Sequence, residues 1–277
     1  MLDFAEITIH SWEDFLNLRH KFGDEWVFRG QSSDWPLSTS LERACKDSDI
    51  KLKNAPRIEK KIIREFRRQY DGSDRDIVTT DTLYCLALMQ HHGAPTRLLD
   101  WTYSRYVAIY FALEALKPAD QPSVVWCLKQ TWCLKQARAI AGETLISKRD
   151  ELRNEETFRK LYTAAPPYKL VFLENPFFLH RKLIIQQGVF LCSGDISVPF
   201  EDNLKSLDGW HKASSVVKIR CEMTTKDRLD ALEELHRMNV HRANLFPGLD
   251  GFAQSLNYRL RFYEQLATNG EGTVQII

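Results

Sequence analysis

The stretch LMQHHGAPTRLLDWT runs from Leu88 to Thr102 and packs two imidazoles, a guanidinium, a carboxylate and an indole around a Gly-Ala-Pro-Thr turn. Upstream, Leu83, Leu86 and Ala87 have helical spacing. TLYCLALMQHH therefore reads as a helix, capped by Thr80 or Asp81 and stopped at Gly93. Pro95 stiffens the turn, and Thr96, Arg97, Asp100 and Trp101 follow in extended geometry. SRYVAIYFALEALK then forms a strongly apolar helix that Pro118 stops.

The flanks mix helices and strands without a regular strand–helix beat. Helices are predicted at SWEDFLNLRHKF (capped by Ser11), APRIEKKIIREFRRQY, TTKDRLDALEELHRMNV and FPGLDGFAQSLNYRLRFYEQLA, and across the polar residues 136–162. Strands are predicted at EWVFRGQ, PSVVWCL, VFLC and SSVVKIRCE, with KLVFL a strand or extended segment. SSDWPLSTSL reads as loop, and RKLIIQQGVFLCSG as extended structure turning at Gly188. This pattern favours α+β, with a mixed or antiparallel sheet and flanking helices. No composition shift marks a linker, so one domain is expected over 1–277, with a core at roughly 6–266 and a frayed tail at 267–277.

The pentapeptide WCLKQ occurs at Trp126–Gln130 and again at Trp132–Gln136. Six residues is too short for a solenoid unit. The duplication reads as a longer strand end or loop, since an even period keeps one strand face.

With 277 residues, 44% of them hydrophobic, the chain can bury a sizeable core. A net charge of +1 does not select nucleic acid or membrane globally. The segment MLDFAEITIHSWEDF carries acids and no long apolar run, and no stretch approaches the roughly 18 apolar residues of a membrane span. The six cysteines form no C-x-x-C pair and read as reduced core thiols. A cytoplasmic protein without a membrane partner is expected. Its oligomeric state is not readable.

Several residues could carry chemistry. Arg29 ends an apolar run and precedes Gly30 and Gln31. It is either an anion clamp or an arginine held by a structural carboxylate such as Asp100. Gly30 lets the backbone turn or a ligand approach. His91 and His92 stand at a helix C-terminus, and either could exchange protons near neutral pH. Arg97 and Asp100 could hold each other. Trp101 offers a flat face or fills the core. Gln186 and Gln187 precede a glycine and an apolar strand. His236 and His241 lack H-E-x-x-H spacing, and no P-loop, G-x-G-x-x-G or G-x-S-x-G is present, so no metal is predicted. The helix at 57–68 has a basic face, which is usually solvated.

Taken together, FRGQ at 28–31, WPL at 35–37, ALMQHHGAPTRLLDWT at 87–102, VAIYFALE, QQGVF and LFPGLDG at 245–251 resemble the signature of FRG-domain proteins. The family is bacterial, with phage-borne members. Many members carry an aromatic residue at His92, which leaves His91 as the candidate. The order of motifs also resembles mono-ADP-ribosyltransferases: an aromatic-Arg-Gly strand end, a strand leading into an Ala/Tyr/Phe-rich helix, and a Gln/Glu segment before a strand. That resemblance implies an ADP-ribosyltransferase-like fold and NAD as substrate. Arg29, Gly30, Gln31, Thr96, Arg97, Trp101 and Tyr103 would bind it, and His91, Asp100 and Gln187 would serve catalysis. Gln187 stands where those enzymes place a catalytic glutamate, and Glu174 and Asp100 are the substitutes. The enzyme would cleave NAD or transfer ADP-ribose. The alternatives are a non-catalytic module that binds a nucleotide or phospho-ligand in stress or phage defence, and, less favoured, a nucleic-acid-binding protein or nuclease.

Overall fold

The computed structural model describes residues 3–115, 122–152, 154–176 and 181–256. Seven strands build one sheet: β1 Ala5–Ile9, β2 Trp26–Gln31, β3 Leu98–Thr102, β4 Ser123–Lys129, β5 Val171–Glu174, β6 Gly188–Ser193 and β7 Val216–Cys221. Their order is β1-β7-β4-β2-β3-β6-β5, and only β1 and β7 pair in parallel. The α+β expectation holds.

Most of the sheet is zipped over four to six residue pairs per strand. The central seam differs, because β2 and β3 meet at the single pair Phe28↔Thr102. The sheet therefore parts just beyond Phe28. Arg29, Gly30 and Gln31 stay paired with β4 on one side and leave a gap toward β3 on the other.

Helix Arg105–Leu113 lies across β2. Gly30 makes that approach possible: a Cβ there would stand 1.9 Å from the Ala108 carbonyl oxygen and 2.7 Å from the Ala112 nitrogen. Gly30 thus serves packing against the helix, where the sequence offered a turn or ligand access. Phe28, Ile109, Ala112 and Leu113 fill this layer. On the other face Trp101, Trp126, Leu128 and Leu191 join the larger core with helix Thr82–His91.

Caps fall where side-chain acceptors stand. Ser11 and Asp14 form a reciprocal capping box, Asp81 accepts from the Tyr84 N–H at 3.0 Å, and Thr224 caps Thr225–Arg237. KLVFL supplies β5, and 136–162 falls within three helices, Gln130–Ala141, Glu143–Leu152 and Glu155–Tyr162. The last predicted helix is helical over 249–256; its remainder and the predicted tail lie outside the described residues.

Three expectations are corrected. Within SSDWPLSTSL, a helix already begins at Ser40 and runs to Asp47, capped by Thr39 accepting from the Glu42 N–H. Residues Arg181–Ile185 form a short helix, and Gln187, with φ 46°, swings the chain from it into β6. The second WCLKQ copy is helical, within Gln130–Ala141, while the first lies mainly in β4. The ladder explains the switch. Lys129 pairs with Trp26, the first residue of β2, and Leu128 with Val216, the first of β7. Beyond Lys129 no strand among the described residues remains to accept the backbone, which satisfies itself as a helix. Cys133 and Ala137 then give that helix its buried face.

Candidate functional site

The gap beside β2 opens into a cavity of about 840 Å³. Its wall is built from every segment of the sequence signature. Arg29, Gly30 and Gln31 come from β2, and Trp35 and Pro36 from the loop after it. Asp100, Trp101 and Thr102 come from β3. Val107 and Phe111 come from the apolar helix, Gln186 from the turn before β6, and Phe246 from the late LFPG segment. Two hydrogen bonds tie the last segments in: Thr102 Oγ1 donates to the Gln186 carbonyl oxygen at 2.7 Å, and Gln186 Nε2 to the Leu245 carbonyl oxygen at 3.0 Å.

Arg29 is held by Asp100, but through the backbone. Its Nη1 donates to the Asp100 carbonyl oxygen at 2.7 Å, while its Nε is shielded from solvent and has no acceptor among the described residues. Burial pushes this guanidinium down from its ordinary value, the Asp100 carboxylate partly offsets that, and Arg43 adds to the downward push. Trp101 is buried, and its Nε1 likewise lacks an acceptor. Two residues of the cavity wall, Arg29 and Trp101, thus each carry a shielded donor without an acceptor among the described residues. Arg43, Lys46 and Lys182 add cations to it, against the carboxylates of Asp100 and Glu42.

Asp100 is exposed, and Gln90 positions its side chain. Thr96 Oγ1 donates to Gln90 Oε1, and Gln90 Nε2 donates to Asp100 Oδ1 at 2.7 Å. Thr96 itself is fully buried and acts on the cavity only through this relay. Gln31 is spent on the fold, its Oε1 accepting from Trp126 Nε1 at 2.5 Å.

Other predicted residues lie elsewhere. Arg97 is buried in a two-pronged pair with Glu59, donating to its Oε1 from Nε at 2.7 Å and to its Oε2 from Nη2. His91 is exposed and lines a neighbouring cavity of about 600 Å³ with Arg181 and Arg242. Gln187 is exposed beside that turn, and Gln186 lines the main cavity in its place. Tyr103 is exposed outside the cavity, its hydroxyl accepting from Asn175 Nδ2 at 2.9 Å. Glu174 is buried under Arg149, which donates to both its oxygens at 2.7–2.8 Å, and is closed to ligands.

Sequence reasoning missed Glu42. It lines the cavity from helix Ser40–Asp47 and accepts from the Phe200 N–H at 3.1 Å. Burial raises its carboxyl above the ordinary 4.5. No sequence pattern marks it, since its place depends on a helix hidden in a loop-like stretch.

Residues 24–121 match the family model of the FRG domain. The chain carries an FRG domain. The match takes in β2 and β3, and so Arg29, Asp100 and Trp101. The rest of the cavity wall, Lys182, Gln186 and Phe246, is supplied from beyond the matched FRG segment. Neither the curated proteins nor the solved structures contain a match. Among the described residues no helix is long and apolar enough to cross a membrane.

Proposed function

We propose that this FRG-domain protein binds a nucleotide pyrophosphate, NAD being the candidate, in the cavity at Arg29, and that it cleaves the nicotinamide–ribose bond. One observation carries the reading. Segments spread from Phe28 to Phe246 meet at one cavity, where the Arg29 guanidinium makes a single hydrogen bond among the described residues and stands with Arg43, Lys46 and Lys182. A ligand oxygen that accepts from this guanidinium gains about 1.5–3 kcal/mol, the size of a hydrogen bond to a charged group. Arg29 would grip the pyrophosphate through paired, charge-assisted bonds. The volume lies in the usual range for ligand pockets.

In hydrolysis the bond from ribose C1′ to the nicotinamide nitrogen breaks, and nicotinamide leaves with the bonding pair. Water adds its oxygen to C1′ and gives up one proton. Asp100, aimed by Gln90, is the carboxylate to receive it. Transfer to an acceptor replaces water by the acceptor's nucleophile. His91 and Gln187 have no part in this reading.

The experiment is incubation with NAD while following nicotinamide release, with Arg29→Gln and Asp100→Asn beside the wild type. Release lost in both variants is the expected result. A second reading, a nucleotide-sensing module acting in the cytoplasm in stress or phage defence, is favoured by the place of Gln187 outside the cavity. It predicts saturable NAD binding that needs Arg29, with no product. Neither binding nor release would overturn both.

A further inference from the structure

A second cavity, of about 720 Å³, shares no lining residue with the first. It opens along helix Ala55–Gln69 and has seven cationic side chains against three carboxylates, in a chain whose net charge is only +1. The carboxylates are all engaged. Glu59 holds Arg97. Glu155 accepts from the Thr82 N–H at 2.8 Å and its hydroxyl at 2.9 Å. Asp195 accepts from the Ser197 N–H at 2.9 Å and its hydroxyl at 2.6 Å.

The cations are not engaged to the same degree. The side chains of Lys60, Arg64, Arg68, Arg75 and Arg159 have no hydrogen bond or ion pair among the described residues. Lys60, Arg64 and Arg68 stand four apart on one helix face, where like charges repel one another. A solvated helix face would account for those three alone. Arg75 and Arg159 come from two other helices, Arg75–Thr80 and Glu155–Tyr162, and line the same cavity. Ile63, Phe158 and Tyr162 give it a buried apolar lining.

We infer that this groove is a second anion site and takes a compact polyphosphate, either free or as the phosphate chain of a nucleotide. Arginines from three helices can donate in pairs to successive phosphoryl groups. The volume suits a small ligand. A nucleic-acid strand fits less well, because the aromatic rings lining the groove, Phe158 and Tyr162, are buried and offer no stacking platform.

The test is calorimetric titration of inorganic triphosphate into the full chain carrying Arg29→Gln, which removes the arginine proposed to grip phosphate in the first cavity. Saturable binding is expected. Arg159→Gln, and separately the Arg64→Gln/Arg68→Gln pair, should each weaken it at least about 10-fold, the size of a lost charge-assisted bond. All three arginines are exposed, so melting temperatures should hold. Absence of binding, or binding indifferent to Arg159→Gln, overturns the proposal. So does a labelled single-stranded oligonucleotide that binds the groove and is not displaced by triphosphate, since the surface would then serve nucleic acid.

Discussion

Arg29 lies in β2 and Arg97 immediately before β3, on either side of the central seam, and the fold treats them oppositely. Arg97, just before β3, gives all three nitrogens to acceptors: Glu59 takes Nε and Nη2, and the Tyr162 and Ser193 carbonyl oxygens take Nη1 at 3.1 and 3.4 Å. Burial alone would push its guanidinium down, but the Glu59 carboxylate more than reverses this. Arg29 gives one nitrogen to one carbonyl, and burial keeps it depressed. A buried arginine with every nitrogen engaged is architecture. Arg29, half-buried and with a shielded, unmet donor beside the cavity, is not held in that way.

The contrast can be broken most forcefully at Arg97. Arg97→Ala leaves the buried Glu59 carboxylate alone and should cost about 3–5 kcal/mol by chemical denaturation. Replacing both partners together, Arg97→Met with Glu59→Leu, should restore most of that loss. If the single change were mild, Arg97 would not be the structural member of the pair.

Gly30→Ala comes next. The new methyl would strike helix backbone, which cannot swing aside as a side chain can, and a loss of about 3 kcal/mol or more is expected in the same assay. Arg29→Gln should stay within about 1 kcal/mol of the wild type, because it removes an unmet donor along with a single hydrogen bond. A loss as large as that of Arg97→Ala would make Arg29 structural too.

The smallest effect concerns the acids. Glu59 has its arginine, whereas Glu42 has no ion pair among the described residues, and burial raises its carboxyl above 4.5. The folded state therefore favours the protonated form, so stability from this group is present at low pH and lost as pH rises above about 4.5. Glu42→Gln cannot ionise. It should melt slightly higher than the wild type at pH 7, and the advantage should vanish below pH 4.5, as followed by thermal scans across pH.

Much of this was legible in the sequence. Helix caps at Ser11 and Thr224 and the apolar helix after β3 follow from local rules. The signature segments do meet. What escaped depends on partners distant in the chain. WCLKQ is strand in one copy and helix in the next because ladder partners end at Lys129. Arg97 is structural because Glu59, 38 residues earlier, faces it. Gln186 rather than Gln187 reaches the cavity because a five-residue helix, too short to show its period, turns the chain there. Glu42 carries no motif, and Gln90 lies inside the signature without a mark of its own; only the assembled fold brings them to the cavity and to Asp100.

The central claim, that Arg29 is kept for a ligand and not for the fold, has one direct test: calorimetric titration of NAD into the wild type and Arg29→Gln, with melting temperatures taken on the same samples. The account predicts saturable binding by the wild type, its loss in the variant, and nearly equal melting temperatures. Equal binding by both proteins, or a variant that loses binding only because it has unfolded, would contradict it.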